Sequence, residues 1–140
     1  MSESAEDPKI VVVDDDPEIL KLITMLLRRI GATTNAFHSG QEALDYLAEN
    51  TPDLIILDLM MPEVDGFDVL RHVRRQIRFN RVPVLILSAK TDPNSIREGL
   101  ELGADGYVTK PYIANTLIDR VRLLLDSERQ VKPQDSPGAG

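Results

Sequence analysis

The chain has 140 residues, enough for one domain with a full hydrophobic core and too few for two ordinary domains. Its net charge of -7 argues against a direct nucleic-acid or anionic-membrane partner, and the absence of cysteine excludes disulfides, thiolate catalysis and thiolate metal sites. The polar N-terminus lacks the apolar stretch of a signal peptide, and no apolar run approaches the ~20 residues that span a bilayer, so we expect a cytoplasmic protein without a membrane partner.

Short apolar runs rich in β-branched residues alternate along the chain with stretches of helical spacing. Asp16 before Pro17 predicts the first helix cap, and Ser39, with Glu42 three residues later, has the form of a capping box. The predicted strands cover residues 9–14, 33–37, 53–58, 83–88 and 105–109. The first three helices are expected to end at about residues 30, 49 and 76, the fourth to begin after Asp92, and the fifth to run from Ile113 to about Ser127.

Five strand–helix units in a chain of this length predict an α/β fold, with a parallel sheet covered by helices on both faces. We expect one domain over residues 9–127, preceded by a disordered N-terminal extension over residues 1–8. The segment 128–140 is polar, contains prolines and glycines, and has no apolar period, so we expect a flexible tail or the stump of a linker.

Polar side chains end the predicted strands. The first strand ends in consecutive aspartates, the third in Asp58, the fourth in Ser88, and the fifth just before Lys110. Because ligands of such sheets bind at the carboxyl ends of the strands, we expect these groups to share one crevice. Two carboxylates about 4 Å apart repel by roughly 4 kcal/mol at a surface-like dielectric. One lysine cannot offset three carboxylates, so the pattern predicts a bound Mg²⁺ (or Mn²⁺) and phosphoryl transfer to an aspartate.

Short polar and turn segments follow one another in a specific order and spacing: Val13-Asp14-Asp15-Asp16, Leu57-Asp58, Met61-Pro62, Asp65-Gly66, Ser88-Ala89, Gly103-Ala104-Asp105-Gly106-Tyr107 and Lys110-Pro111. With these segments the sequence resembles, from about Lys9 to Ser127, the receiver domain of bacterial two-component response regulators. The resemblance implies a flavodoxin-like, doubly wound (βα)5 fold, whose five-stranded parallel sheet has the strand order 2-1-3-4-5.

The resemblance also implies roles for individual residues. Asp58 would accept a phosphoryl group from a sensor histidine kinase or a phosphotransfer protein, and Lys110 and Ser88 would contact the phosphoryl oxygens. The metal ligands would be Asp14, Asp15, Asp58 and the backbone carbonyl of Met60. Tyr107 would be a switch aromatic, the Lys110–Pro111 bond would be cis, and Met60 and Lys90 would tune hydrolysis of the acyl phosphate.

Such a protein is expected to be a signalling switch rather than an enzyme, with only weak self-catalysed phosphoryl transfer and autodephosphorylation. A downstream effector protein would bind the face formed by the fourth helix, fifth strand and fifth helix, and a homodimer is possible. A haloacid-dehalogenase-type phosphatase is the alternative, but Met60 stands where it needs a second aspartate. A flavin-binding module is disfavoured because three aspartates would repel the flavin phosphate.

Two groups of side chains predict surface roles. The two histidines, His38 and His72, lack partners at metal-ligand spacing and are expected to be solvated. A basic run on the third predicted helix favours a solvated face first and a partner-docking face second. This run consists of Arg71, Arg74, Arg75 and Arg78.

Overall fold

The structure is a computed structural model, and it describes residues 7–111 and 114–127. The predicted fold is confirmed: five parallel strands form one sheet in the order β2-β1-β3-β4-β5. The strands are β1 (Lys9–Val13), β2 (Thr33–Phe37), β3 (Leu54–Leu57), β4 (Val84–Ser88) and β5 (Gly106–Thr109). The helices are α1 (Pro17–Arg29), α2 (Gly40–Leu47), α3 (Gly66–Arg74), α4 (Pro93–Glu101) and α5 (Ala114–Asp126).

The ends of the chain leave three predictions open. Residues 1–6 and 128–140 are not among the described residues, so the disordered extension over residues 1–8 and the flexible tail stay predictions. Within the described part, the carbonyl of Pro8 accepts a hydrogen bond from the amide of Thr33 at 2.8 Å. The predicted start of the last helix, Ile113, also lies outside the described residues. None of the described helices is both long and apolar enough to cross a membrane.

Two apolar layers hold helices against the sheet. Alternate side chains of the central strands point to opposite faces, which explains why β3 is apolar throughout and why β1 and β4 are apolar except at Lys9 and Ser88. Val11, Ile55 and Ile86 lie in the layer shared with α2 and α3. Val12 and Leu85 lie in the layer shared with α1 and α5. Both faces of the central strands are therefore buried, and the carboxyl edge of the sheet is the place where polar groups can collect.

Side-chain caps begin the helices where the sequence predicts them. Asp16 accepts a hydrogen bond from the amide of Glu18, and Ser39 accepts one from Glu42. The reciprocal capping box forms at α3, where the side chains of Asp65 and Asp68 each accept a hydrogen bond from the backbone amide of the other residue. At Ser39, by contrast, the carboxylate of Glu42 lies 3.5 Å from the imidazole of His38.

The end of α3 differs from the prediction. The helix ends at Arg74 rather than near Gln76, and an unpredicted 3-10 helix, Ile77–Phe79, follows it. The guanidinium of Arg78 lies 4.2 Å from the centre of the Phe79 ring and donates a hydrogen bond to the carbonyl of Leu47. Arg78 therefore ties the segment after α3 to the end of α2 and does not extend a basic face of α3.

The interpretation of Arg74 as part of a solvated or docking face is wrong. Its side chain is only 5% exposed and donates hydrogen bonds to three backbone carbonyls, at 2.8 to 2.9 Å, and to Asp105 at 3.0 Å. The three carbonyls are those of Gly103, Phe79 and Val82. Arg74 follows Leu70 by one helical turn, so it lies on the buried stripe of α3, and the planar guanidinium suits several acceptors at once.

Replacing Arg74 with methionine should lower the free energy of unfolding by about 3 kcal/mol, because buried carbonyls and the carboxylate of Asp105 would lose their donor. The exposed neighbour Arg75 provides a matched control, and Arg75→Met should change that free energy by less than about 0.5 kcal/mol. Urea unfolding of both variants measures the difference. Equal effects of the two substitutions would contradict the structural role of Arg74.

Candidate functional site

The register of the sheet places the polar strand ends side by side. Val13 pairs with Leu57 across β1 and β3, so Asp14 and Asp58, which follow them directly, are neighbours. Ser88 ends β4 and pairs with the last residue of β5, after which Lys110 follows. The structure thus brings the predicted groups together at the carboxyl edge of the sheet, as expected for a parallel α/β fold.

Three carboxylates form the centre of this site. One oxygen from each of Asp14, Asp15 and Asp58 lies within 4.8 Å of the other two. Asp14 and Asp58 are buried, whereas Asp15 is exposed and lies at the mouth of the site. Asp16 takes a different role, since its side chain caps α1 and its amide donates to Asp14 at 2.9 Å. The cluster offers the hard oxygen ligands that divalent cations prefer, so these residues could hold a metal ion.

The ammonium group of Lys110 forms ion pairs with two carboxylates of this cluster. Its Nζ lies 2.7 Å from Oδ2 of Asp14 and 3.6 Å from Oδ2 of Asp58. Burial lowers the pKa of Lys110, but the hydrogen bond to Asp14 and the charges of Asp58 and Asp14 raise it more, so the net pKa is raised. Lys110 therefore stays protonated and can pair with an anion.

The carboxyl group of Asp58 is poorly compensated. Burial, and then the charge of Asp14, raise its pKa from the ordinary 3.8 to about 6, although Lys110 and the amide of Met60 act in the opposite direction. The amide of Met60 donates to Oδ1 of Asp58 at 3.3 Å. A single lysine thus fails to neutralise the cluster, as the sequence predicted, and this excess of negative charge fits a site for a divalent cation.

Ser88 and Tyr107 are linked through the backbone of Lys90. The buried hydroxyl of Ser88 accepts a hydrogen bond from the Lys90 amide at 3.2 Å, and the Tyr107 hydroxyl donates to the Lys90 carbonyl at 2.7 Å. The ring of Tyr107 is half-buried against the layer that contains α2 and α3. Both predicted switch residues therefore contact the same loop between β4 and α4.

The loop after β3 folds tightly over the end of that strand. A Cβ on Gly66 would stand 2.2 Å from the carbonyl oxygen of Asp58, so no other residue fits there without moving the loop. Met61 is buried beneath the loop, whereas the side chain of Met60 is 52% exposed beside the site. The sequence analysis named Gly66 only as part of the Asp65-Gly66 segment, and not as a residue that must approach the Asp58 backbone. The predicted cis bond between Lys110 and Pro111 is present.

The raised pKa of Asp58 predicts a pH-dependent stability of the metal-free protein. The carboxyl group of Asp58 binds its proton more tightly in the folded chain than in the unfolded chain. The free energy of unfolding therefore falls as the pH rises from 3.8 to about 6, and it stays low at higher pH. With a chelator present, Asp58→Asn should raise that free energy by about 1 kcal/mol at about pH 8, a value reduced from the full linkage because counter-ions reach the open mouth. The gain should shrink toward about pH 5.

Urea unfolding at both pH values measures this gain. Asp53 lies before β3, at the opposite edge of the sheet, and Asp53→Asn is the matched control without a pH-dependent gain. A loss of stability in Asp58→Asn at the higher pH would contradict the charge imbalance.

Comparisons with known proteins agree with this geometry. The response regulator receiver domain matches residues 10–122. The chain is 44% identical over 117 residues to the DNA-binding response regulator MtrA of Mycolicibacterium smegmatis, covering 84% of this chain and 50% of that protein. It is 42% identical to the regulatory protein VanRc of Enterococcus gallinarum, covering 84% of this chain and 49% of that protein. The chain spans about half the length of these curated relatives.

Solved structures give the same result. The receiver domain of the Francisella response regulator 1452 is 39% identical, with a TM-score of 0.80, and the alignment covers 86% of this chain and 98% of that one. A response regulator from Chloroflexus aurantiacus is 31% identical, with a TM-score of 0.82, and the alignment covers 87% of this chain and 100% of that one. These matches favour a receiver over the phosphatase and flavin-binding alternatives. The chain belongs to the response regulator receiver domain family.

Proposed function

We propose that the carboxylate of Asp58 accepts a phosphoryl group and stores it as an acyl phosphate that switches the protein between two states. The observation that carries this proposal is the position of Asp58: it is buried at the carboxyl edge, short of compensating charge, and within 3.6 Å of the Lys110 ammonium. A carboxylate in that setting is a nucleophile for phosphoryl transfer. Its donor would be a phosphohistidine on a sensor histidine kinase or a phosphotransfer protein.

We infer that the metal is Mg²⁺ (or Mn²⁺), with ligands from Asp14, Asp15, Asp58 and the carbonyl of Met60. The cluster of carboxylate oxygens within 4.8 Å of one another supports this inference, because oxygen ligands without thiolates or imidazoles suit these cations. When bound, the cation would neutralise charge that develops on the phosphoryl oxygens.

The chain's own residues would divide the remaining work. Asp58 attacks the phosphorus in line with the departing imidazole, and Lys110 exchanges its hydrogen bond to Asp14 for one to a phosphoryl oxygen. Ser88 donates its hydroxyl to another phosphoryl oxygen. To make this bond, the Ser88 hydroxyl turns toward Asp58. This rotation disturbs the hydrogen bond that the hydroxyl accepts from the Lys90 amide. Met60 places an apolar, exposed side chain beside the site, where it contributes no polar group to orient a hydrolytic water.

The switch would then act through the loop between β4 and α4. Ser88 and Tyr107 both contact Lys90, so a change at Ser88 alters the partner of the Tyr107 hydroxyl. Phosphorylation would shift the population between two arrangements of the face formed by α4, β5 and α5, and a downstream effector protein or a second copy of the chain would bind one of them.

The protein's wider role is part of the same proposal. We propose a cytoplasmic switch, not an enzyme beyond weak self-catalysed transfer and autodephosphorylation, with no direct contact to nucleic acid by this segment. The net charge of -7 supports the last point. MtrA of Mycolicibacterium smegmatis is named a DNA-binding regulator, but this chain matches only half of its length.

Mg²⁺ should stabilise the protein against heat because it offsets the repulsion among the carboxylates. Asp15→Asn should remove most of this gain in the melting temperature, because it deletes an oxygen charge at the mouth of the cluster. Asp16→Asn is the matched control: asparagine also caps a helix, so the gain should persist. Thermal melts over an Mg²⁺ titration measure both, and an unchanged gain in Asp15→Asn would contradict the metal assignment.

Phosphorylation itself can be tested with a small acyl-phosphate donor. Intact mass measurement should show the gain of one phosphoryl group in the presence of Mg²⁺ and little gain with a chelator. Asp58→Asn should abolish the gain, whereas Asp53→Asn, at the other end of β3, should keep it. A phosphoryl group that persists in Asp58→Asn would overturn the proposed function.

A further inference from the structure

Helix α4 packs on the sheet through small side chains. Ser95 and Gly99 are its buried residues, and none of its large apolar side chains is fully buried. A Cβ on Gly99 would stand 2.7 Å from Cδ1 of Ile86, so the helix backbone lies directly against β4. Helix α1, by contrast, buries four leucine and isoleucine side chains. Because α4 buries little apolar area, a change in its position costs less free energy than a change in α1.

The C-terminal end of α4 is nevertheless firmly held. Nε of Arg74 donates to the carbonyl of Gly103 at 2.9 Å, and Gly103 has a φ of +114°. A Cβ there would stand 2.9 Å from Cγ of Arg74, so the turn after α4 closes on the arginine side chain. Arg74 also donates a hydrogen bond to the carboxylate of Asp105. That carboxylate accepts a second hydrogen bond from the amide of Val84 at 2.9 Å. Helix α3, β4 and the end of α4 thus meet at one buried side chain.

The N-terminal end of α4 has different contacts. It begins at the carboxyl edge of the sheet, and the loop before it is held by the Ser88 and Tyr107 hydroxyls, which bond the amide and carbonyl of Lys90. Both hydroxyls belong to the residues proposed to respond to phosphorylation of Asp58. This end of the helix therefore depends on bonds that the signal would change, whereas Arg74 lies at the opposite edge.

A second arginine of α3 reaches the middle of α4. Nη2 of Arg71 lies 3.6 Å from Oε2 of Glu98, but the two side chains are 40% and 51% exposed. Exposed ion pairs are weak, since solvent and salt screen them. Arg71 therefore adds little restraint, and it provides a comparison for Arg74.

We propose that Arg74 is a positioning residue that fixes the C-terminal end of α4, so that phosphorylation of Asp58 turns the helix about Gly103 instead of shifting all of it. This inference rests on the proposed function. With nine residues and a rise of 1.5 Å per residue, α4 is about 13.5 Å long. The first turns, near Pro93, would move most, and the end at Glu101 least. A partner that distinguishes the two states would therefore contact the N-terminal turns of α4.

Amide hydrogen exchange of the full chain, with and without Mg²⁺ and beryllofluoride as a phosphoryl analogue, tests the inference. In the parent protein, the analogue should change exchange over residues 94–98 and leave residues 99–103 unchanged. Without the analogue, Arg74→Lys should speed exchange over residues 99–103 about tenfold, because lysine cannot hold the same set of acceptors. In the Arg74→Lys variant, the analogue should then change the rate of amide exchange over the whole of α4. Arg71→Lys, the matched control, should behave as the parent protein does.

If Arg74→Lys fails to fold, Gly103→Ala carries the same expectation, since its Cβ would push against Arg74. Two results would overturn the inference alone: a change along all of α4 in the parent protein, or unchanged exchange over residues 99–103 in the folded variant. If the analogue leaves amide exchange around Asp58 unchanged in the parent protein, the proposed function is wrong, and the proposed turning of α4 about Gly103 is wrong with it.

Discussion

Three carboxylates lie close together at the carboxyl edge of the sheet, and the single positive charge of Lys110 is too small to offset their negative charge. The crowding follows directly from the fold, because parallel pairing places Asp14 and Asp58 side by side after Val13 and Leu57. Burial makes the repulsion costly and raises the pKa of Asp58 to about 6. The remaining features of the site respond to this excess charge: a metal ion would reduce it, Lys110 partly balances it, and an added phosphoryl group would redistribute it.

The rest of the molecule keeps this edge in place while leaving one helix easy to move. The apolar strands are buried on both faces, and α1 and α5 close one of them. Helix α4 is the exception, because its buried residues are Ser95 and Gly99 and it approaches β4 closely at Gly99. Its two ends are held by different means, by Arg74 at the edge far from the site and by bonds to Lys90 at the near edge. Under the proposed function, a phosphoryl group on Asp58 would therefore act on α4 without loosening the core.

The sequence predicted the fold, and which polar side chains meet at the carboxyl edge of the sheet, because both depend on local patterns. Apolar runs that end in Asp14, Asp58 and Ser88 show where strands stop, and parallel sheets bring such ends together. The role of Arg74 was missed because two of its partners, Gly103 and Asp105, are 29 and 31 residues away in the chain. Its spacing from Leu70 places it on the buried stripe, which was the available signal, but charged residues are seldom buried without a partner. The close approach of Gly66 to the Asp58 backbone also arises only from the folded loop.

The chemical identity of the modified residue tests the central claim most directly. Borohydride reduces an acyl phosphate to an alcohol, so protein treated with a small acyl-phosphate donor and Mg²⁺ and then reduced should carry homoserine in place of a phosphorylated aspartate. Peptide sequencing by mass spectrometry should find homoserine at position 58 alone. Homoserine at Asp14 or Asp15, or a phosphoryl group that resists reduction and lies on a hydroxyl such as Ser88, would contradict the claim that Asp58 is the acceptor.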